Sequence, residues 1–353
     1  MANVKADRES TLWENRKVLF CCILIAIANA FYGFDTATVG GLQAMPGFLQ
    51  VYGYRDPKAA IGYSITTHVQ QLIASLLTVG SIVGCLTTGL FAQKFGRRPA
   101  LWLGCLIAAI ANAIQIGTTT LGGLYAGRIV LGFSNAYFII FSNVFISEIS
   151  PHHLRAIFIA FFGFWVSIGT ILGNVVDFLT KGMLSKLSYR IPLSCNYFFP
   201  LALAVGLIFL PESPRWLMLN GRTDSARKAL TWYRGSSVSA IALEEELVEI
   251  ERGIAEEKEL AQGVSFLDLF HGPNLIRSII CWASVASHAA TGIFVLISFN
   301  TYKPSNINLN IVSSSSKPDF QIRSNFRLPP LSWVGLASSS ACISCSRCLV
   351  DGP

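Results

Sequence analysis

The sequence predicts an all-α protein that crosses a membrane several times, and three observations support this prediction. Hydrophobic residues make up 52% of the 353 residues and charged residues 13%, and the mean hydropathy is +0.51. This balance is typical of a chain whose main solvent is lipid. The hydrophobic residues also form charge-free runs, each able to hold the roughly 20 apolar residues that a membrane-spanning helix needs. The seven runs are 18–34, 59–93, 99–127, 129–147, 156–176, 191–211 and 278–302.

The seven predicted spans divide the chain into five parts. Six spans follow one another with short loops and predict one bundle, which an N-terminal arm precedes. The polar stretch after the sixth span has apolar side chains at helical spacing, which predicts amphipathic helices outside the membrane. Beyond the seventh span the chain has no helical or strand period, so we expect a disordered tail. The parts are a cytoplasmic arm at 1–17, a six-helix half at 18–211, a cytoplasmic loop at 212–277, helix seven at 278–302 and the tail at 303–353.

Lysine and arginine near the ends of the spans predict the orientation of the chain. They gather in the N-terminal arm, in the loop after the second span and in the long loop after the sixth, whereas the third loop has none. Cytoplasmic loops carry such an excess of basic residues. We therefore expect a cytoplasmic N-terminus, although Lys181 and Lys186 in the fifth loop oppose the trend. The same loops account for the net charge of +7 without a nucleic acid partner.

Ionisable residues inside the spans are the first candidates for function, because a charge in hydrocarbon is costly and is kept mainly for pairing or transport. Asp35 in the first span and Arg128 in the fourth lie at comparable depth for a rise of ~1.5 Å per residue, so that they can form an ion pair. A proton on Asp35 would weaken the pair and free the two helices, which is a coupling step suited to a proton-driven carrier. The alternative is a structural pair that only fixes helix packing.

Polar side chains at helical spacing mark a second candidate site. Ser167, Thr170 and Asn174 recur at i, i+3 and i+7 in the fifth span and share one face. His288 lies near the middle of the seventh span. We expect these four residues to contact a solute in a cavity between the helices. A hydrogen bond between helices explains each of them equally well.

Clusters of cysteine and glutamate do not predict a metal site or a cofactor. Cys342, Cys345 and Cys348 are spaced like part of a metal site, but they lack a fourth ligand nearby. The three glutamates at 244–246 are better explained as the solvated face of a helix. The sequence also lacks HExxH and GxSxG, and we therefore expect that the protein is not an enzyme.

Five motifs occur in an order that is informative as a set. They are GFDTATVGG at 33–41, GLFAQKFGRRPAL at 89–101, GRIVLGF at 127–133, SEISPHHLRA at 147–156 and PESPRWL at 211–217. Together they resemble the sugar porter (sugar/H+ symporter) branch of the major facilitator superfamily, of the fungal hexose or disaccharide transporter type. The resemblance covers residues 18–302 and implies the helical bundle of that superfamily, here as its N-terminal six-helix half plus helix seven.

The resemblance implies a carrier that alternates between outward-open and inward-open states and binds a sugar or sugar-like solute between two halves. Asp35 and Arg128 match positions of the proton-coupled members, which implies symport with protons. A plasma membrane location follows from the same resemblance, with the lipid bilayer as surroundings and with the oligomeric state left open. In this family a cytoplasmic network of charges latches the two halves. The residues assigned to this gate are Lys94, Arg97, Arg98, Glu148, Arg155, Glu212 and Arg215.

Several positions depart from the family pattern. Gln93 stands where the loop motif usually has an acidic residue, and Gly163 stands where a glutamine that contacts sugar is usual. The chain also lacks helices eight to twelve of the family, so we expect a chain truncated after helix seven. A second interpretation therefore stays open, namely a pseudo-transporter or nutrient sensor that does not transport.

Overall fold

The structure is a computed structural model that describes residues 16–57, 62–151, 154–183, 185–235, 240–261 and 272–290. Helices dominate these ranges, and one short antiparallel hairpin pairs Tyr54 with Ser64 and Arg55 with Tyr63. The elements are α1 (Arg16–Leu42), α2 (Pro46–Tyr52), β1 (Tyr54–Arg55), β2 (Tyr63–Ser64), α3 (Thr67–Phe95), α4 (Arg97–Gly117), α5 (Leu121–Ile149), α6 (Arg155–Thr180), α7 (Leu187–Cys195), α8 (Phe198–Phe209), α9 (Pro214–Leu219), α10 (Thr223–Arg234), α11 (Ala240–Ala261) and α12 (Gly272–Ala290).

Six segments of the described chain are long and apolar enough to cross a membrane: α1, α3, α4, α5, α6, and α7 with α8 taken together. The sixth segment is interrupted between Cys195 and Phe198. Pro200 explains the interruption, because proline has no N–H to donate to the carbonyl of Asn196 one turn earlier. The prediction of an all-α membrane bundle is confirmed, and its first six spans have counterparts in the structure.

The ends of the helices differ from the charge-free runs. The sequence runs divide the third and fourth spans at Arg128, whereas the helices divide at the turn from Thr118 to Thr120. The reason is local, because the Thr120 hydroxyl accepts a hydrogen bond from the Gly123 N–H, 3.4 Å away, and caps α5. Arg128 consequently lies inside α5. In the same way α1 continues past Asp35 to Leu42.

The most extensive helix contacts of the described bundle join α1 with α6 and α3 with α5, and in both pairs the helices run parallel. Small residues allow the close approach of α1 and α6. A Cβ atom at Gly33 would overlap the carbonyl oxygen of Val166, and one at Gly169 would overlap that of Ala30. Aromatic side chains fill the centre between α1, α5 and α8, where the rings of Phe31 and Phe138 meet edge to face at 5.3 Å. These contacts hold the site residues of α1 and α5 at fixed positions.

The polar stretch after α8 folds into helices that pack on one end of the bundle. This end also holds the start of α1 and the loops that join α3 to α4 and α5 to α6, and we call it the basic end. Leu243 and Leu247 of α11 are buried against Leu230 of α10, so the helical spacing of apolar residues is reflected in packing. The helix α12 begins at Gly272, before the predicted start of helix seven. The predicted arm at 1–15, the rest of helix seven at 291–302 and the tail at 303–353 lie outside the described residues.

Candidate functional site

An ion pair lies inside the bundle between α1 and α5. The Arg128 guanidinium donates through Nη1 to both oxygens of the Asp35 carboxylate, at 3.0 Å to Oδ1 and 3.1 Å to Oδ2. The side chains are only 1% exposed for Asp35 and 2% for Arg128. The two residues that the sequence places at the same depth are thus in contact.

A small cavity borders the pair on the side of Arg128. Its volume is about 10 Å³, and its lining includes Gln43, Gln115 and Tyr189. A volume of this size holds about one water molecule. The Nε of Arg128 and the side-chain amide of Gln115 have no hydrogen-bond partner among the described residues. The pair therefore borders polar groups that are not engaged elsewhere in this part of the chain.

The chemistry open to this pair is the gain or loss of one proton at the carboxylate of Asp35. A proton would remove its negative charge and leave the guanidinium of Arg128 as an uncompensated charge in a medium of low dielectric constant. Breaking a buried pair in this manner costs about 3–5 kcal/mol.

A second group of charges joins the loops at the basic end. Arg97 begins α4 and donates to Glu148 near the end of α5, with 3.0 Å from Nε to Oε2 and 2.7 Å from Nη2 to Oε1. The same guanidinium donates through Nη1 to the carbonyl oxygen of Ala92, at 3.1 Å. Bidentate geometry of this kind is the strongest form of a charged hydrogen bond between side chains. It holds the α3–α4 loop against α5.

The side chain of Glu212, which lies between α8 and α9, reaches the N-terminus of α4. Its carboxylate accepts from the backbone N–H groups of Arg97 at 3.1 Å, Arg98 at 3.2 Å and Ser213 at 3.0 Å. An anion is favoured there by the free N–H groups and by the helix dipole. Burial nevertheless raises the pKa of Glu212 above its ordinary value, against the effect of these donors and of Arg97. Gly96 has a φ of 97°, and a Cβ there would lie 2.8 Å from Glu212 Oε2, so glycine is required.

Arg98 completes this network, because its Nη2 donates to the carbonyl oxygen of Ile208, at 3.1 Å, near the end of α8. We call Arg97, Arg98, Glu148 and Glu212 the latch. It joins α4, α5 and the α8–α9 connection. The resemblance implied a network of charged residues in which Glu212 takes part, and the hydrogen-bond donors to Glu212 are backbone N–H groups.

The other predicted gate residues lie beside the latch and do not join it directly. Arg215 pairs with Glu257 of α11. Arg155 borders a cavity of about 420 Å³ that Arg215 and Glu148 also line. The amine of Lys94 lies 5.5 Å from the ring centroid of Phe95, outside the hydrogen bonds of the latch.

The predicted solute contacts on α6 are engaged with the helix itself. Ser167 donates to the carbonyl oxygen of Gly163 at 2.8 Å, and Thr170 donates to that of Val166 at 2.9 Å. Ser167 is exposed, and Thr170 and Asn174 are half-buried. These two bonds lie within α6, whereas the alternative was a hydrogen bond between helices; the Thr170 hydroxyl also makes one of that kind, to the carbonyl oxygen of Gly33 in α1 at 3.4 Å. Because each hydroxyl acts as a donor here, the lone pairs of its oxygen are left to accept from a ligand. His288 belongs to α12, and its side chain lies outside the description.

Two residues to which the sequence assigned no role stand out in the structure, Arg234 by its contacts and Asp177 by its burial. Arg234 ends α10, donates to the carbonyl oxygen of Ile149 at 3.0 Å and pairs with Glu246 of α11. Glu246 therefore belongs to a contact and not to a purely solvated face, which corrects that part of the interpretation of 244–246. The position of Glu246 beside the apolar stripe of α11 could have indicated this contact from the sequence. Asp177, which ends a charge-free run, is 1% exposed inside α6.

No cluster of histidine, cysteine, aspartate or glutamate suited to a metal ion occurs in the described ranges. The three cysteines at 342, 345 and 348 lie outside those ranges.

The fold matches solved structures of a membrane transporter. The MFS (major facilitator superfamily) proton:xylose symporter XylE, solved with 6-bromo-6-deoxy-D-glucose, superposes with a TM-score of 0.67 at 18% identity, covering 84% of this chain and 65% of that chain. At this identity the likeness establishes the fold. Six apolar helices with a buried ion pair and a latch at one end thus define a multi-pass membrane protein of the major facilitator fold.

The family follows from the sequence itself, since the model of the family described as "Sugar (and other) transporter" matches residues 21–311 and the chain belongs to this family. It is 28% identical over 256 residues to the low-affinity glucose transporter HXT3 of Saccharomyces cerevisiae, covering 72% of this chain and 45% of HXT3. It is 26% identical over 341 residues to the low-affinity glucose transporter HXT4 of the same yeast, covering 92% of this chain and 58% of HXT4.

The chain spans about half the length of these curated relatives. The resemblance to sugar porters and the expectation that the protein is not an enzyme are both confirmed by the family match and by these relatives.

Proposed function

We propose that the chain is part of a transporter that moves a sugar or sugar-like solute together with protons by alternating access. The observation that carries this proposal is the contact between Asp35 and Arg128, which lies fully inside the bundle. A buried pair contributes little net stability compared with apolar side chains. Its presence in a membrane interior is better explained by a cycle in which a proton breaks and restores it.

The names of the similar proteins support the class of solute. HXT3 and HXT4 are described as low-affinity glucose transporters, and XylE is described as a proton:xylose symporter. We therefore propose hexoses and pentoses as the first solutes to test. The face of α6 with Ser167, Thr170 and Asn174, together with His288, is proposed to contact the solute.

The latch is proposed to act as an inside gate, with Lys94, Arg155 and Arg215 as its charged surroundings. The excess of basic residues at this end supports a cytoplasmic position for it and for the N-terminus. The plasma membrane is the proposed location. When the latch is closed, the ends of α4 and α5 are held together, as a gate on that side requires.

Uptake of labelled glucose and xylose into proteoliposomes that contain the full chain tests this proposal. With an inward proton gradient we expect accumulation above equilibrium, and without the gradient we expect equilibration only. Liposomes without protein provide the background. Equal uptake in both conditions would contradict coupling. The family match does not favour the alternative of a non-transporting pseudo-transporter or nutrient sensor. Absence of any uptake would be the result that supports this alternative.

A further inference from the structure

A second carboxyl group is buried inside the bundle, near the end of α6 that lies away from the basic end. Asp177 is 1% exposed, and neither of its oxygens has a hydrogen-bond partner among the described residues. Asp35 shows what an ionised carboxylate at this burial requires, because Arg128 donates to both of its oxygens. Asp177 has no comparable partner in the described ranges.

The packing of α1 against α6 places the Asp177 carboxyl in contact with a helix backbone. A Cβ atom at Gly41 of α1 would overlap Oδ2 of Asp177, so the carboxyl occupies the space that this glycine leaves. One turn earlier, a Cβ at Gly173 would lie 3.2 Å from Oγ1 of Thr38. That hydroxyl is also buried without a partner in the described chain. The group is therefore enclosed by the contact between α1 and α6.

The charged groups of the neighbouring elements are engaged elsewhere or lie apart. Directly after α6, Lys181 is exposed, and its amine lies 3.7 Å from the centroid of an aromatic ring of that helix. On α1 and α5, Asp35 and Arg128 pair with each other. The remaining charged residues of α1, α5 and α6 are at the basic end.

The element that follows α6 carries two further titratable groups. Tyr189 of α7 is fully buried, and its ring packs on Tyr52 and Phe48. Arg190 is half-buried, and it makes no hydrogen bond to Asp177, whose two oxygens are without partners in the described chain. No cation of the described residues thus neutralises Asp177.

A carboxylate without a partner is very costly in an apolar interior, whereas a neutral carboxyl costs far less, so such a group takes up a proton. We propose that Asp177 is a second proton-binding site, protonated while α1 and α6 are packed together and deprotonated when this contact opens to water. In the first state an O–H bond forms on one carboxyl oxygen with a proton from water, and on opening that proton returns to water. The inference goes beyond the proposed transport function, since it concerns neither Asp35 nor a solute.

Infrared difference spectroscopy of the full chain in lipid bilayers tests the proposal without any transport measurement. At neutral pH we expect a carbonyl band of a protonated carboxyl in the wild type, loss of that band in Asp177→Asn and its retention in Asp35→Asn. Asparagine has the shape of the neutral acid, so the variant is expected to fold. Absence of the band in the wild type, or its persistence in Asp177→Asn, would overturn the proposal.

Thermal unfolding of the same proteins provides a second measurement. The folded chain keeps the proton at a pH where the unfolded chain has released it, so the stability contributed by Asp177 is greatest in acid and falls as pH rises. We expect the melting temperature to fall more steeply with rising pH in the wild type than in Asp177→Asn. Equal slopes would count against a bound proton.

A glycine variant tests the geometry independently of Asp177 variants. Gly41→Ala is expected to shift the carbonyl band and lower the melting temperature, because the new methyl group overlaps the carboxyl. Gly163→Ala on α6 is the matched control, since a Cβ there meets nothing within 4 Å. An unshifted band in Gly41→Ala would show that the protonated group is not Asp177.

Discussion

Asp35 and Arg128 neutralise each other's charge, and either charge alone would be costly in the membrane interior. The intact pair adds little net stability, but loss of one partner costs about 3–5 kcal/mol. In the proposed transport cycle, this asymmetry would let a single proton change which helix arrangement is preferred. Their common depth could be predicted from the rise per residue. That the guanidinium donates to Asp35 through Nη1, while Nε has no partner among the described residues, depends on packing and could not be predicted.

Replacement of Asp35 by asparagine tests the role of its charge. In Asp35→Asn we expect proton-driven accumulation of solute to fall by about tenfold or more, while exchange of labelled for unlabelled solute across the membrane persists. The unpaired guanidinium should also lower stability by about 3–5 kcal/mol. Accumulation and exchange are measured in proteoliposomes and stability by thermal unfolding.

Two controls separate coupling from folding. Glu251→Gln removes an exposed acid in the middle of α11 and should change neither quantity. The double variant Asp35→Asn/Arg128→Gln should recover much of the lost stability, because it removes both charges, without recovering accumulation. Full accumulation in the single or the double variant would contradict the role assigned to the pair.

Asp177 shows that charge alone does not predict where a membrane helix ends. A charged residue was taken as the end of the fifth run, whereas α6 continues through it to Thr180. The environment that allows this is the space left by Gly41 on another helix, and contacts between distant segments do not appear in local sequence patterns.

Individual helices follow the sequence where hydrophobic runs are long, and they depart from it where local hydrogen bonds decide. The Thr120 cap sets the start of α5, and Pro200 divides the sixth segment into α7 and α8. The apolar stripe of α11 was predictable from its spacing. Its attachment to the bundle through Arg234 was not, because that contact joins α10 and α11 to Ile149 of α5, 85 residues earlier in the chain.

The attachment of α10 and α11 to α5 should depend on Arg234. In Arg234→Ala we expect a loss of about 1.5–3 kcal/mol, because hydrogen bonds to charged groups are removed from a buried position. Hydrogen–deuterium exchange of α11 should increase accordingly. Arg227→Ala is the matched control, since Arg227 and Glu244 form an exposed pair that contributes about 0–1 kcal/mol. Equal exchange in the two variants would contradict the assigned attachment.

The cap of α4 by Glu212 predicts a pH dependence. Since burial raises the pKa of Glu212, the folded chain holds this proton more tightly than the unfolded chain, and the residue favours folding more in acid than at neutral pH. We expect the melting temperature of the wild type, relative to Glu212→Gln, to fall as pH rises from the ordinary range of about 4 toward neutrality. Glu259→Gln, an exposed site on α11, should show no such trend. A rise in this difference toward neutral pH would contradict the stated direction.

In the whole molecule, α5 connects the two charged groups. It carries Arg128 in the membrane and Glu148 in the latch, which are about 30 Å apart at the helical rise per residue. A displacement of α5 after a proton reaches Asp35 would therefore reach the latch through one rigid element. The chain spans about half the length of its yeast relatives, and these two groups both lie within the six-helix bundle.

The proton movement that accompanies solute entry is the most direct test of this coupling. Proteoliposomes with a pH-sensitive dye inside are supplied with glucose or xylose in the absence of an imposed gradient, and the internal pH is followed. For the wild-type chain we expect acidification of the interior as solute enters, and for Asp35→Asn we expect solute entry without acidification. Solute entry with unchanged internal pH in the wild type, or equal acidification in Asp35→Asn, would contradict it.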